Sequence, residues 1–306
     1  MHSDPRPASV CAVVVTFHPD RDELLDLVES VGPQVQAVVV VDNDSHPDLI
    51  TGVEQSATLL PQTSNLGLAT AQNIGIDWAR NQGHTHVLLL DHDSAPDEGM
   101  VPELVRVSAD LGRQGRKVAA VGPTFQDPRD PREAPFVRIG FPLSHKIWCE
   151  GAPTVPCDFL IASGALIPLA VLDDVGDMDD GLFIDNVDLE WSFRARDRGY
   201  ELHGVCSATM RHRLGGDRKE IVFGALVTVI HPPARLYYIM RNRTLLYRMR
   251  TTPRIWIAQD ILRVPLKFLI FAALVGPRRR NASMMLRGLR DGLLGRRGPA
   301  LVGTES

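Results

Sequence analysis

An apolar run from Val87 to Leu90 ends on Asp91, and Asp93 follows two residues later. A buried strand delivers its last side chains to the carboxyl edge of a sheet. The spacing of two turns both carboxylates the same way, into the crevice where open α/β sheets bind ligands. Such a pair suits a hard divalent cation, Mg2+ or Mn2+, which takes oxygen ligands and shares its shell with substrate phosphates. A local reading competes: Ser94 and Asp97 ahead of GMVPELV make a helix-capping signal, and the acids would then be capping charges. The triplet alone does not separate the two readings, but its place at a strand end favours the metal.

Two more acidic pairs, Asp42 with Asp44 and Asp185 with Asp188, fall at expected strand or helix ends. A nucleotide whose phosphates arrive as a metal complex needs a carboxylate for the metal, and a second carboxylate can read its base by accepting a ring N–H. The chain contains no G-x-x-x-x-G-K-[ST], and no G-x-G-x-x-G follows its first strand. Phosphoryl transfer through a P-loop and a dinucleotide cofactor are both disfavoured.

The elements that must hold these residues alternate in the first half between β-rich runs and helical patterns, the signature of a mainly parallel sheet flanked by helices. Strands are expected at Val10–Thr16, Ala37–Val41, Thr58–Leu60 and His86–Leu90, and helices at Asp22–Val31 and through NLGLATAQNIGIDWARNQG, which Gly83 stops. From Pro123 to Pro156 prolines and charges suggest an excursion or loop over the site. A helix over Val187–Arg198 and a strand over Tyr200–Val205 follow, and beyond His231 the chain reads as helical and basic.

With 306 residues and 44% hydrophobic content, the chain can bury one large core or two modest ones. Its four cysteines show no C-x-x-C pair, which argues against structural zinc and against a disulfide framework, and fits a reducing cytosol. Met1 to Ser9 lacks the apolar centre of a signal peptide. The net charge of −4 hides an asymmetry: residues 235 to 306 hold 15 basic and 3 acidic residues, leaving a surplus of 16 negative charges on the rest. Within that tail the apolar run Ile255–Val275 is interrupted by Asp260, Arg263 and Lys267. Charges at mid-bilayer are costly, so a helix lying in the membrane interface is expected, with Arg278, Arg279 and Arg280 near anionic headgroups. A helix docked on the core with a solvated basic face is the competing reading.

Taken together, VVVTFHPD, VVVVDNDS, NLGLATAQNIGI, LLLDHDS, ASGALI, FIDNVDLEWSFRARDRGY and HRLGG resemble a family 2 inverting glycosyltransferase with the GT-A fold. DHDS, FIDNVDLEW and YYIMRN look most like the bacterial rhamnosyltransferases that use dTDP-L-rhamnose. The resemblance covers about residues 10 to 242. It implies an α/β class with a Rossmann-like central sheet in residues 1–230, a nucleotide half over about 10–122, an acceptor half over about 156–216, and a basic amphipathic helical extension over 231–306.

The resemblance assigns roles position by position. Thr16 and Phe17 line the nucleotide pocket, Asp42 accepts the N3–H of a pyrimidine, and Asn65, Gly67 and Asn73 pass over ribose and pyrophosphate. Asp91 supports the sugar–phosphate side, Asp93 ligates Mn2+ or Mg2+, and His212 supplies a further ligand. From side-chain chemistry rather than the resemblance, Arg241 with Asn242 suits pyrophosphate, against the alternative of a solvated arginine, and Trp191 suits a sugar face, against the alternative of a core tryptophan, with Gly164 placed on the acceptor side. Where the commoner pattern has glutamate-aspartate before a second acid, this chain has Asn186, which cannot abstract a proton. The base is therefore Asp185 or Asp188; Asp185 is preferred because it precedes the helix and can project into a pocket, leaving Asp188 to position the acceptor or cap the helix. The implied reaction moves L-rhamnose to a hydroxyl of a lipid-linked glycan at the inner membrane face, by a cytoplasmic protein held peripherally through its tail, with no nucleic acid partner. UDP-linked galactofuranose, glucose or N-acetylglucosamine is the alternative donor. A nucleotidyltransferase is the alternative class, disfavoured because FHPD is not a glycine-rich phosphate loop.

Overall fold

Valine runs without polar interruption form the middle of the sheet. β1 (Val10–Thr16) is buried along its whole length and pairs in parallel with β2 (Ala37–Asp42) on one side and β4 (His86–Asp91) on the other. A strand covered on both faces reads as a continuous apolar run. β3 (Thr58–Pro61) adds a parallel edge, and α1 (Arg21–Val31) and α2 (Leu68–Asn81) make the crossovers. α1 begins where the Asp20 carboxylate accepts from the backbone N–H groups of Asp22 and Glu23. The computed structural model describes residues 7–126, 133–212, 218–221 and 226–300.

The second half adds β5 (Ser94–Pro96), α3 (Met100–Arg113), β6 (Val118–Gln126), β7 (Glu133–Ala134), β8 (Phe136–Arg138), β9 (His145–Ile147) and β10 (Thr154–Cys157). It continues with β11 (Leu166–Pro168), α4 (Leu169–Val175), α5 (Val187–Asp197) and β12 (Glu201–His212). The sheet runs β10-β12-β6-β11-β4-β1-β2-β3. Because β11 lies antiparallel between β4 and β6, the chain just before it crosses the carboxyl end of β4. The parallel registers pair Thr16 with Asp42 and Val15 with Asp91, so three neighbouring strands end at one level with polar side chains.

The segment from 123 to 156 is not a plain loop. β6 continues to Gln126, and β7 to β10 follow as paired strands, with residues 127–132 outside the described part. Proline density misled the reading here, since an edge strand such as β10 tolerates Pro156. The pairing of β10 with β12 also brings Cys149 and Cys206 together as a disulfide, with Cα atoms 5.6 Å apart. This corrects the expectation, drawn from the scattered spacing, that the cysteines form no disulfide framework: the partners are 57 residues apart, and only the fold reveals their meeting. Cys11 and Cys157 remain buried thiols.

A hairpin of β13 (Arg218–Ile221) and β14 (Leu226–Val229) leads to α6 (Pro233–Leu246), α7 (Arg254–Leu269) and α8 (Arg278–Leu293). The basic segment is no appendage, since Leu245, Leu246 and Trp256 belong to the main hydrophobic cluster. α8 lies against α6 at close range: a Cβ at Gly288 would stand 2.3 Å from the carbonyl oxygen of Tyr237. Gly288→Ala is therefore expected to cost about 1–3 kcal/mol. Urea unfolding checks this, and an unchanged midpoint would contradict the tight contact.

Candidate active site

The residues expected to meet the donor stand at strand ends. Asp42 is 2% exposed, and its Oδ2 accepts from the backbone N–H of Ser45 at 3.0 Å. Its Oδ1 and the neighbouring Thr16 Oγ1 are buried without a partner, an arrangement that a ring N–H would complete. Phe17, 42% exposed, stands at the rim beside His18. The turn after β2 is locked to the segment before α2: Asn43 Nδ2 donates to Asn65 Oδ1 at 3.0 Å, and Leu66 N donates to Asn43 Oδ1 at 2.8 Å. Asn65 Oδ1 also accepts from Gly67 N at 2.9 Å. Gly67 has φ +87° and lies so close to Phe183 that a Cβ would stand 2.5 Å from its ring, so only glycine fits. Asn73 departs from its expected place over the pyrophosphate. It exchanges two hydrogen bonds of 2.9 Å with the backbone of Met178, pinning α2 to the segment before α5.

At the end of β4 the backbone N–H of Asp91 donates to Ser163 Oγ at 3.2 Å, and Ser163 Oγ meets Ser94 Oγ at 2.5 Å. Two serines thus tie the acidic turn to the crossing chain. Asp93 borders an open cleft of about 600 Å3 between α1 and β5, together with Glu23, Asp26 and Arg211. The antiparallel register of β5 on β12 sets His212 opposite Ser94, one residue from Asp93, while Gly215 and Gly216 lie outside the described residues. Among the described residues no three His, Cys, Asp or Glu side chains gather as a metal-ligand group. One carboxylate, with a histidine position beside it in register, still fits a cation of the Mg2+ type, which keeps waters and takes phosphate oxygens from its substrate.

The part of the site expected to meet the acceptor is a constrained loop. Phe183, Asp185 and Asn186 have φ of 64°, 65° and 63°, the left-handed region that residues with side chains seldom adopt. Two adjacent side chains of α6 hold it. Asn242 Nδ2 donates to the carbonyls of Leu182, Ile184 and Asp185 at 2.7–2.9 Å, and Arg241 donates to those of Gly181, Leu182 and Gly298. The Asp185 carboxylate is gripped by Arg235, Nε at 3.1 and 3.2 Å from its two oxygens. Burial raises the pKa of Asp185, opposed by Arg235, Lys267 and Arg243. Burial also pushes Asp188 up to about 6, with the negative charges of Asp91 and Asp185 adding to the shift. The carboxylates of residues 91, 185 and 188 thus share one electrostatic neighbourhood.

Four further expected contacts are not met, and the first is that of Asn242, which is wholly buried with its amide on the loop carbonyls and does not face a pyrophosphate. Arg241 is wholly enclosed and spends its guanidinium on backbone carbonyls, so it does not face a pyrophosphate. Trp191 is 3% exposed and its Nε1 donates to the Gly176 carbonyl at 2.9 Å, which makes it a core residue of α5. Gly164, φ +85°, is packed against Pro123 and has no open face for an acceptor. Asn43, Ser163, Arg235 and Lys267 were not singled out as site residues. Asn43 stood in the DNDS turn beside Asp42, a signal that could have found it.

Asp188 provides a test with opposite signs for stability and activity. Its folded pKa of about 6 lies above the ordinary carboxylate value of 3.8, so its charge costs stability at neutral pH, a cost relieved as pH falls from about 6 toward 4. Asp188→Asn should raise the neutral-pH melting temperature by about 2–6 °C, with the gain vanishing near pH 4, while turnover falls. Thermal melts across this range check it, and a melting temperature lowered at pH 7 would contradict it.

Comparison with known proteins adds three findings. Residues 11–157 match the family described as Glycosyl transferase family 2. The chain is 31% identical over 260 residues to the dTDP-rhamnosyl transferase RfbF of Shigella flexneri, covering 83% of this chain and 85% of that protein. Among solved structures, GalNAc-T7 with UDP, GalNAc and Mn2+ superposes with a TM-score of 0.59 at 14% identity, over 95% of this chain and 57% of that one. TarS 1-349 of S. aureus in complex with UDP-GlcNAc gives 0.56 at 14% identity, over 93% and 80%. These two likenesses speak for the fold alone.

Proposed function

The chain belongs to glycosyl transferase family 2, and from that membership we propose that it moves L-rhamnose from dTDP-L-rhamnose to a hydroxyl of a glycan acceptor, with inversion at the anomeric carbon. The observation that carries this reading is the 31% identity over 83% of the chain to a dTDP-rhamnosyl transferase, joined to the buried Asp185 carboxylate on a constrained loop. Asp42 offers its unpartnered oxygen to the N3–H of thymine, with Thr16 beside it and Phe17 at the rim. The segment from Asn65 to Gly67 closes over ribose and pyrophosphate, and Asp91 supports the sugar–phosphate side.

Asp93 and His212 are the residues that would hold Mn2+ or Mg2+. When bound, the cation neutralises charge developing on the departing diphosphate. Asp185 takes the proton of the acceptor hydroxyl while that oxygen bonds to the anomeric carbon from the face opposite the departing dTDP. Arg235 orients the Asp185 carboxylate and burial keeps it basic. The pKa of about 6 favours a second reading in which Asp188 is the base and Asp185 positions the acceptor.

The tail supports attachment to the cytoplasmic face of a membrane, where a lipid-linked acceptor would be met. No helix among the described residues is long and apolar enough to cross a bilayer. Leu262, Leu266 and Leu269 of α7 are 71%, 59% and 61% exposed, and Arg278, Arg279 and Arg280 are exposed at the start of α8. Apolar side chains outward with arginines nearby suit an interfacial helix on anionic lipid.

Mass spectrometry of products after incubation with dTDP-L-rhamnose, and separately with UDP-sugars, tests the donor. Transfer of a deoxyhexose only from the dTDP compound is expected, and transfer only from a UDP-sugar would replace the reading. Asp93→Asn should abolish turnover and weaken Mn2+-dependent dTDP binding. Asp185→Asn should lower kcat by about 10^2–10^4 with donor affinity kept within about twofold. If Asp185→Asn turns over normally, the base is Asp188.

A further inference from the structure

The hairpin of β8 and β9 is rooted in the core and bare at its tip. Ile139 and Ile147 pack against the main hydrophobic cluster, whereas Phe141, Leu143 and Trp148 are 65%, 68% and 46% exposed and join no hydrophobic cluster among the described residues. The tip is fastened to a distant part of the chain: Ser144 Oγ donates to Gln259 Oε1 of α7 at 2.9 Å, across a separation of 115 residues. Gln259 is buried there, and Ile255 and Leu262, four residues before it and three after it on the same face of the helix, are 49% and 71% exposed. Leu266 and Leu269 continue that stripe at helical spacing. Phe141 and Leu143 therefore stand beside the outward stripe of α7, and the two elements make one apolar surface.

Single exposed apolar side chains need no explanation, but a contiguous patch does. The charge around this one selects its occupant. Lys146, Arg254 and Arg263 are exposed on the same two elements, residues 138–149 contain no acid, and the single acid of α7, Asp260, is turned inward onto Arg243. A two-fold contact with a second copy would lay these cations against their own counterparts. An anionic lipid surface pairs with them instead, while its acyl boundary takes the leucines and the aromatic rings. We propose that the tip of the β8 and β9 hairpin inserts together with α7 into a bilayer interface, as one composite surface built from two parts of the chain. This deepens the membrane reading of α7 and rests on it. A lone interfacial helix leaves the protein free to roll about the helix axis. A second contact beside that axis removes the freedom and gives the enzyme one orientation on the bilayer.

The test is co-flotation of the full chain with vesicles of phosphatidylcholine containing phosphatidylglycerol, and of phosphatidylcholine alone. The double substitution Phe141→Ser with Leu143→Ser should weaken binding to the anionic vesicles about tenfold or more, as should Leu262→Ser with Leu266→Ser. Lys146→Gln should weaken it about threefold to fivefold on anionic vesicles and leave binding to neutral ones unchanged. Calorimetric titration with dTDP and Mn2+ should give the hairpin variant the wild-type affinity within about twofold, and light scattering should give both the same molecular mass. A hairpin variant that floats like the wild type while the α7 variant does not would overturn the composite surface and leave the helix reading standing; if neither variant differs from the wild type, both fall. Loss of dTDP affinity in the hairpin variant would place the tip at the donor site, and a wild-type dimer that the variant splits would assign the surface to a second copy; either result overturns the proposal. A wild-type chain that floats as expected but binds no dTDP would refute the donor reading and leave this one standing. If the double hairpin variant does not fold, Leu143→Ser alone and Lys146→Gln, both at exposed positions, decide the matter.

Discussion

The carbonyls of residues 181 to 185 turn inward onto two neighbouring side chains of α6, and the acceptor half of the site depends on that grip. Three residues of the loop hold left-handed backbone angles, each disfavoured for a residue with a side chain. Such a conformation persists only where its surroundings over-determine it. Asn242 supplies amide protons to three carbonyls, and Arg241, fully enclosed, answers its own desolvation with carbonyl hydrogen bonds and the face of Tyr238, 4.8 Å from its guanidinium carbon. The close approach of α8 to α6 seals this arrangement from behind, with Gly298 beyond α8 accepting from Arg241. Residues far from the loop in sequence therefore hold Asp185, Asn242 on its carbonyl and Arg235 on its carboxylate, while Arg241 and Gly298 fix the loop just before it.

Around that loop the charges are divided. On the sheet side, Asp91 and the buried Asp188 crowd negative charge, which raises Asp188. On the side of α6 and α7, Arg235 and Arg243 of α6 and Lys267 of α7 supply positive charge, which opposes the effect of burial on the Asp185 carboxylate. A group transfer with a departing diphosphate and a proton to remove needs both environments within one site. The family's sheet provides the first, and the basic helices of the C-terminal segment provide the second.

Much of the donor half was legible because it is local. β1, β2 and β4 end where their apolar runs end, and the acids at 42 and 91 follow directly in sequence. The acceptor half was less legible because its roles are set by partners distant in the chain. Arg241 and Asn242 carry functional chemistry in their side chains, but spend it on backbone that the sequence does not place next to them. Trp191 went to the core for the same reason, through a hydrogen bond to Gly176. In α7 the interruption of the apolar run by Asp260, Arg263 and Lys267 supports a helix in a membrane interface or one docked with a solvated basic face, without saying which face turns inward. Asp260 turns inward, to Arg243 and to the Tyr247 hydroxyl at 2.6 Å, and the leucines face out. Periodicity finds two faces of a helix but does not say which one the rest of the protein covers.

In the proposed reaction Asp93 would hold a cation on the donor's diphosphate while the clamped loop presents Asp185 to the acceptor. A crystal structure of the full chain with Mn2+ and dTDP tests it most directly. Manganese is expected on the Asp93 carboxylate at about 2.0–2.3 Å, beside the diphosphate, with the carbonyls of Leu182, Ile184 and Asp185 still on Asn242. Manganese and diphosphate bound away from Asp93, or a loop that leaves Asn242 when the nucleotide binds, would contradict it.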